Sequence, residues 1–527
     1  MPIRMVKDPG GNKPKRKIRT RNKSNFKGGG GSGIGGLVGG LLPSLLPMLM
    51  KKPKLLIIAA IGIGAYMFFG KGCSSSNSGG GIADIVNQFS TGGNFDKEVY
   101  ESTEIYEPLA DNVKNPLPEK VSLLQYAPKR LNQGQQGSCV AWASAYAART
   151  ILEAQRTGRD PNSVKFSPSF MYNQISLDKR TCQGSYIKLA MDNMMGIGAV
   201  PFNDFKYDDR TCSTEPSQQL KAKAQAYKIK GFQRLTEEDN TYAAREMLSM
   251  KQNLAKGSPV IIGMMVGGSF MRDMAGREVW IPTNADYDQR GFGGHAMCVI
   301  GYDDYKEGGA FQIMNSWGTD WGVDGVGWVR YTDFKAFNIE SYGLYPMGNA
   351  DNKAVSEFKG SFGLELNNGK KTIALERKND FYFETVSKVN PTDLFKVEFT
   401  NNMECYTYIF AQELNMTSTV LFPYTPKHSP YMGITGTRLF PRDYSMQSDG
   451  KGGVDKIAVV ITKRPIDFNA LNDRISNASG SSFEEKVRNV LSGELESNIR
   501  YSGSNIINFS TSTSKDKSVA FVIGVKK

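Results

Sequence analysis

The stretch that decides the fold of this chain is Leu131-Asn132-Gln133-Gly134-Gln135-Gln136-Gly137-Ser138-Cys139-Val140-Ala141-Trp142. A cysteine, Cys139, follows a Gly- and Gln-rich loop and opens a segment with apolar residues at three- and four-residue spacing: Ala141, Ala145, Ala148, Ile151 and Leu152. This period predicts a helix that begins near Cys139 and ends at Gly158. A thiol at a helix N-terminus is favoured as the thiolate, so Cys139 is a candidate nucleophile. The alternative is a buried structural cysteine.

The charge of the chain belongs to one end. The 527 residues are 40% hydrophobic and carry a net charge of +13, and a chain of this length can bury two or three cores. Residues 1–54 hold 13 Lys and Arg against one acid, Asp8, and Lys71 supplies the remaining charge. The basic residues therefore indicate a tail that sets membrane topology or binds anionic lipid, and no nucleic-acid partner is expected.

The N-terminal region reads as a tail followed by a membrane-associated segment. Residues 1–36 are basic and then Gly-rich, and we predict that they are disordered. Residues 37–70 form the membrane-associated segment, with a transmembrane helix at about 55–70 that would bind the lipid bilayer. The excess of Lys and Arg before it predicts a single-pass protein with a cytoplasmic N-terminus and an extracytoplasmic C-terminal part, periplasmic or on the cell surface. A signal peptide and lipidation at Cys73 are less favoured alternatives.

Two folded units follow. We predict a flexible linker and extended lead-in over 71–120, and then a unit at 121–347 that is helical first and strand-rich afterwards. Residues 356–527 alternate in short apolar runs with turn residues between them, which predicts a β-sandwich-like domain interrupted by one helix, Phe483–Leu491.

Two motifs downstream of Cys139 carry the remaining chemistry. One is Gly293-Gly294-His295-Ala296-Met297-Cys298-Val299-Ile300-Gly301-Tyr302, and the other is Asn315-Ser316-Trp317-Gly318-Thr319-Asp320-Trp321-Gly322. Together with the Cys139 block, and in this order, they resemble the papain-like (C1-type) cysteine peptidases. The resemblance covers about 220 residues. It implies an α+β, two-subdomain fold with a helical half and an antiparallel β half.

The resemblance implies a role for each matched residue. Cys139 would be the nucleophile, and His295 would take its proton and later protonate the leaving amine. Asn315 would orient the imidazole. Gln133, with the backbone N–H of Cys139, would bind the oxyanion. Trp317 would cover the His–Asn hydrogen bond.

Substrate-binding residues and a disulfide are implied in the same way. Gly184 and Ser185 match a strip whose backbone pairs with substrate, although the family has a second glycine at the position of Ser185, and Gly294 precedes the histidine. We predict that Cys182 and Cys212 are bonded, which would fit an extracytoplasmic compartment; two free thiols are the alternative. Two further departures are Gln136, where papain has a cysteine, and Val140, where the family has tryptophan. Cys298 is expected to be a core residue, not a second nucleophile.

The function that these features predict is a membrane-anchored cysteine-type peptidase that hydrolyses peptide or protein substrates through a Cys139 acyl-enzyme. Other thiol acyl transfer, an amidase or toxin activity on the same fold, and a non-catalytic structural component of a bacterial envelope or secretion assembly stay open as alternatives. Neither a cofactor nor a metal is implied. The chain before Cys139 is too short for a papain-type inhibitory propeptide, so zymogen control of that kind is not expected.

The C-terminal unit loosely resembles a bacterial domain of unknown function that often trails peptidase or kinase modules. We expect it to bind a protein partner as a recognition or assembly module. His428 lies in a Pro-bounded loop of this unit with no Cys or acid nearby, and we predict that it is solvated.

Overall fold

The computed structural model describes residues 3–8, 91–110, 113–236, 244–346, 357–367, 369–451, 453–512 and 517–527. The predicted transmembrane helix at 55–70 and most of the basic tail lie outside these residues. Within the described ranges, no helix has the length and apolar character needed to cross a membrane.

The helices of the described residues lie mainly between residues 97 and 272, with one more at Tyr331–Phe337 and two in the C-terminal part. In chain order they are α1 (Lys97–Glu101), α2 (Cys139–Ala141), a π-type turn (Trp142–Arg149), α3 (Thr150–Thr157), α4 (Pro161–Val164), α5 (Pro168–Ile175), α6 (Ile187–Gly196), α7 (Gln218–Ala224), α8 (Ala244–Ala255), α9 (Gly268–Arg272), α10 (Tyr331–Phe337), α11 (Phe468–Asn477) and α12 (Phe483–Leu491).

The strands number 23 in the described residues. They are β1 (Ile3–Lys7), β2 (Lys120–Ser122), β3 (Gly231–Arg234), β4 (Val260–Val266), β5 (Val279–Trp280), β6 (Gly293–Asp303), β7 (Ala310–Met314), β8 (Val326–Arg330), β9 (Asn338–Tyr345), β10 (Phe358–Leu366), β11 (Lys371–Ile373), β12 (Leu375–Arg377), β13 (Tyr382–Thr385), β14 (Leu394–Asn401), β15 (Cys405–Gln412), β16 (Ser418–Phe422), β17 (Tyr431–Met432), β18 (Gly436–Phe440), β19 (Tyr444–Ser448), β20 (Val454–Thr462), β21 (Arg500–Ser502), β22 (Ile507–Thr511) and β23 (Val519–Lys526).

The central unit has a helical half and a sheet half, which confirms the α+β prediction. The helix that begins at Cys139 continues through the π-type turn into α3 and ends at Gly158, whose φ of 63° is the left-handed conformation that glycine adopts without strain. The sheet has the order β3-β9-β4-β6-β7-β8-β5, with β2 paired to β6. One hydrophobic cluster, which includes Ala145, Ile151, Val260 and Val299, joins the two halves.

The C-terminal part contains two sheets that share a core. One has the order β1-β19-β14-β10-β22-β21 and the other β12-β13-β23-β20-β15-β16. Aromatic rings from both sheets meet in that core: Phe362 of the first stacks on Phe521 of the second, with centroids 3.6 Å apart. The helices α11 and α12 cover the outer face of the second sheet through Leu471, Ile475 and Val487.

Two predictions about the N-terminal third are wrong where the structure describes it. Residues 3–7, predicted as part of a disordered tail, form β1 on the edge strand β19. Residues 91–110, predicted as part of a flexible linker and extended lead-in, contain α1, which Asp96 caps by accepting hydrogen bonds from the backbone N–H groups of Glu98 and Val99. They also bury Tyr100 and Leu109, and this apolar burial fixes the segment to the central unit.

Candidate active site

Cys139, His295 and Asn315 meet where the helical half contacts the sheet. Cys139 is the first residue of α2, and the backbone N–H of Ala296 on β6 donates to its Sγ at 3.4 Å. His295 Nε2 lies 2.8 Å from Asn315 Oδ1. That oxygen also accepts the backbone N–H of Ser316, which holds the amide with its oxygen toward the ring. The three residues predicted from separate motifs are therefore brought together.

Trp317 covers the pair as predicted. Its ring stacks on that of His295, with centroids 4.4 Å apart and planes 24° apart, and it is fully buried. A buried indole on one face of the imidazole excludes water from the Nε2–Oδ1 hydrogen bond, and a hydrogen bond is stronger in a medium of low dielectric constant. His295 Nδ1 is buried and makes no hydrogen bond within the described part of the chain, so this nitrogen is available to the thiol of Cys139.

Gln133 lies on the loop that leads into Cys139. Its Nε2 donates to Gln136 O at 2.9 Å, and its Oε1 accepts from Ser316 Oγ at 2.6 Å. These bonds tie the Cys loop to the loop of Asn315. Gln136, which stands where papain has a cysteine, donates from Nε2 to the carbonyls of Asp208 and Thr211, so hydrogen bonds fasten the loop where papain uses a disulfide.

The cleft beside Cys139 is occupied by a part of the chain itself, which we call the cleft segment (Thr91–Phe95). The amides of Gly92 and Gly93 both donate to Gly294 O, at 3.2 and 2.9 Å. On the opposite wall, Asn94 N donates to Ser185 O at 2.9 Å and Ser185 N donates to Gly92 O at 3.0 Å. Ser185 and Gly294, both predicted to bind substrate, thus hold an extended chain between them.

The fit of the cleft segment depends on glycine. A Cβ on Gly92 would lie 2.2 Å from Gly137 O, and a Cβ on Gly184, whose φ is 78°, would lie 2.1 Å from Asn94 Nδ2. Ser185 replaces a family glycine without obstructing the cleft, because its Oγ donates to Ile175 O in the helical half. The ring of Phe95 fills the space above Gly263, where a Cβ would lie 2.3 Å from its Cε1.

Burial sets the protonation of the catalytic pair in this closed form. It raises the pKa of Cys139 to about 11, although the backbone N–H groups of Ala296 and Gly92 partly offset it. Burial also lowers the pKa of His295 to about 4, with the hydrogen bond to Asn315 acting in the opposite direction. The closed form therefore holds an uncharged thiol beside an uncharged imidazole.

The remaining predicted residues are accounted for individually. Cys182 and Cys212 are joined by a disulfide with their Cα atoms 5.6 Å apart. Cys298 is a free, fully buried thiol on β6, which fits its prediction as a core residue. His428 is half-buried: its Nδ1 lies 2.9 Å from Thr425 Oγ1 and its ring packs against Tyr424, so the prediction that it is solvated is wrong. The described residues contain no group of three His, Cys, Asp or Glu side chains that could hold a metal ion.

Sequence reasoning missed the cleft segment. The pair Gly92-Gly93 followed by an aromatic residue has the composition of a linker, and nothing in its period indicates burial. Tyr207 was also missed; its hydroxyl lies 2.7 Å from Ser138 Oγ and donates to Gln133 O at 2.7 Å, which fixes the loop ahead of Cys139.

Comparison with known proteins agrees with this geometry. The model of the papain family cysteine proteases matches residues 122–347. An uncharacterized peptidase C1-like protein of Acanthamoeba polyphaga mimivirus is 26% identical over 211 residues, which are 39% of this chain and 65% of that protein. Mouse (Mus musculus) cathepsin K is 26% identical over 219 residues, which are 41% of this chain and 60% of cathepsin K.

The curated relatives extend beyond the matched part: the chain spans less than two thirds of the length of either. Among solved structures, xylellain, a cysteine protease from Xylella fastidiosa, has a TM-score of 0.39 and 24% sequence identity. The match covers 49% of this chain and 95% of xylellain. The Cys–His–Asn constellation places a thiol, an imidazole and an amide in the arrangement expected of a cysteine-type peptidase site. Residues 122–347 are similar to the papain family cysteine proteases.

Proposed function

We propose that the chain is a cysteine peptidase that hydrolyses peptide bonds through an acyl-enzyme on Cys139, and that the described form is its closed state. The observation that carries the proposal is that three groups lie together. They are the Cys139 thiol on the first turn of α2, His295 on β6, and Asn315, whose Oδ1 is hydrogen-bonded to His295 Nε2. Nucleophile, base and orienting group stand in the order that nucleophilic catalysis requires.

The chemistry follows from these positions. Cys139 Sγ gives its proton to His295 Nδ1 and attacks the carbonyl carbon of the substrate, while Asn315 holds the imidazole by its Nε2–H. The backbone N–H of Cys139 and the amide of Gln133 would stabilise the oxyanion; loss of one such donor typically costs about 100- to 1000-fold in rate. His295 then protonates the leaving amine. Water hydrolyses the thioester and regenerates the thiol.

The cleft segment prevents this reaction until it leaves. A substrate must bind along Ser185 and Gly294, whose backbone groups are bonded to Gly92, Gly93 and Asn94. We therefore propose that release of the cleft segment activates the enzyme, by movement or by cleavage before residue 91. The cleft segment would provide a form of zymogen control that differs from the papain-type propeptide, which is not expected in this chain.

The compartment and the membrane attachment are further proposals. The bond between Cys182 and Cys212 supports an oxidising compartment, such as a periplasm or cell surface. The apolar run at 55–70 supports attachment to a bilayer. The sheets of residues 358–526 offer a surface for a protein partner.

Hydrolysis of a peptide library tests the peptidase proposal. We expect the wild-type chain to cut peptides after release of the cleft segment, and both Cys139→Ala and His295→Ala to lose cleavage while they retain the wild-type circular dichroism spectrum. Cleavage that persists in Cys139→Ala overturns the proposal. A product in which an added amine, rather than water, takes the acyl group would assign the site to acyl transfer instead.

A further inference from the structure

The first strand of the chain occupies a site on the C-terminal sheet that is built to receive it. Ile3–Lys7 pairs antiparallel with Tyr444–Ser448 over five residues, with Ile3 opposite Ser448 and Lys7 opposite Tyr444. Because β19 pairs, apart from β1, only with β14 among the described strands, its outer edge would be an open edge of this sheet without β1. An open edge offers unpaired N–H and C=O groups to an extended segment.

The apolar end of this contact enters the sandwich core. Ile3 is 2% exposed and belongs to the hydrophobic cluster that the two C-terminal sheets share, beside residues such as Phe395 and Met446. Burial of this kind requires an apolar side chain at one register position, so the pairing is specified by sequence and not by the backbone alone.

The polar end is a socket for one carboxylate. Lys396 is nearly buried, and its Nζ donates to Pro441 O, Arg442 O and Tyr444 O at 2.8, 3.0 and 2.6 Å. Asp8 supplies the counter-charge: its Oδ2 accepts from Lys396 Nζ at 2.7 Å. Its Oδ1 accepts from Ser445 Oγ at 2.6 Å and from Asn367 Nδ2 at 2.9 Å.

This arrangement selects an acid directly after the strand. A nearly buried ammonium group that three carbonyl oxygens already surround favours an anion as its remaining partner, because a buried charge is costly unless it is paired. Asp8 is the one acid among residues 1–54, which otherwise carry 13 basic residues. The segment that docks is therefore the chain's own N-terminus, with Ile3 and Asp8 five residues apart as its two anchors.

We propose that the edge of β19 and the Lys396 socket are the docking site for residues 3–8 of the same chain, and that residues 3–8 and 91–527 consequently lie on one side of any membrane. A single crossing at 55–70 would separate the two partners of β1 and β19. The predicted orientation, with a cytoplasmic N-terminus and an extracytoplasmic peptidase, is incompatible with this pairing within one molecule.

Cysteine cross-linking tests the docking itself. In the full chain, Arg4→Cys is combined with Gln447→Cys, which replaces a pair of residues directly opposite each other in the register. Arg4→Cys with Leu414→Cys is the matched control, since Leu414 is 70% exposed and follows β15 in the other sheet. We expect oxidation to link the first pair within a monomer and not the control pair. A link only between two chains, or none, overturns the proposal.

Two further experiments test the role of Asp8 and the membrane topology separately. Asp8→Ala should lower the cross-linking yield at least tenfold, whereas Lys7→Ala, an exposed neighbour, should not change it. In cells, a reporter that fluoresces only in the cytoplasm and one that is active only outside it are fused in turn to each end through a Gly-Ser linker. We expect both ends to report the same side. Opposite sides would overturn the inference, whatever the activity of the peptidase.

Discussion

The imidazole of His295 lies flat against the indole of Trp317, with ring centroids 4.4 Å apart and planes inclined by 24°. This contact places an apolar surface over the hydrogen bond that joins His295 Nε2 to Asn315 Oδ1 at 2.8 Å. The orientation of the His295 imidazole therefore depends on Trp317, a residue to which we assign no part in proton transfer.

Trp317→Ala should lower both activity and stability. Water would reach the His295–Asn315 hydrogen bond, and we expect kcat/KM to fall about 10- to 100-fold, together with a stability loss of about 3–5 kcal/mol for a buried Trp→Ala change. Steady-state kinetics and urea unfolding measure the two effects. Trp280→Ala is the matched control, because Trp280 is equally buried but bonds Ser269 Oγ away from the imidazole. An equal loss of kcat/KM in the control would show that the effect is only one of stability.

Phe95→Ala should open the cleft. The Phe95 ring fills the space above Gly263. Its removal should destabilise the closed form by about 1–2 kcal/mol relative to the open form, which would raise the population of the open form about 5- to 30-fold. The rate of iodoacetamide modification of Cys139, followed by mass spectrometry, measures the opening. Val386→Ala, which removes an exposed apolar side chain, should leave the rate unchanged. An unchanged rate in Phe95→Ala would contradict the role given to the cleft segment.

Acid should also favour opening. The pKa of His295 is lowered to about 4 in the closed form from an ordinary value of 6.5. Between these values the open form binds more protons, so a fall in pH from 6.5 to 4 shifts the equilibrium toward it. Hydrogen exchange of the amides of residues 92–94, corrected for the intrinsic rate at each pH, should lose protection over this range. Val519–Lys526 should stay protected, which excludes global unfolding; constant protection of residues 92–94 would refute the linkage.

The disulfide should stabilise the helical half. Cys182 and Cys212 are 30 residues apart in sequence, and a loop of this size corresponds to about 3–4 kcal/mol in the chain-entropy description. The double variant Cys182→Ser, Cys212→Ser should therefore unfold at a lower temperature than the wild-type chain in calorimetry. Cys298→Ser, a change at a free thiol, serves as a comparison. If a reducing agent lowers the midpoint of the double variant as much as that of the wild type, the disulfide is not the cause.

The residues of the candidate site could be located from the sequence because each of them lies in a local motif. Cys139 opens a helix with a clear period, His295 lies at the start of the apolar strand β6, and Asn315 directly follows the apolar strand β7. The structure places α12 at the predicted residues, Phe483–Leu491, and ends the helix that begins at Cys139 at Gly158, as predicted. These elements depend on local pattern and on a buried face that the pattern reveals.

The parts that were missed depend on partners remote in sequence. Ile3 pairs with Ser448 in the sheet, and Gly93 pairs with Ser185 and donates a hydrogen bond to Gly294 O. Residues 3–8 belong to a basic stretch with the composition of a disordered tail, and the Gly92-Gly93 pair has that of a linker. Only the edge of β19 and the width of the cleft give residues 3–8 and 91–95 their structure. Pattern within a segment carries no information about an acceptor located hundreds of residues away.

The most direct test of the central claim is the reactivity of Cys139 once the cleft segment is displaced. In the Phe95→Ala background at neutral pH, an epoxide inhibitor of cysteine peptidases should add once, at Cys139, as read by intact mass and peptide mapping. A further Cys139→Ala change should abolish the adduct, and His295→Ala should slow its formation at least 100-fold. Failure to modify Cys139, or modification at the same rate without His295, would contradict the assignment of a thiol–imidazole catalytic pair.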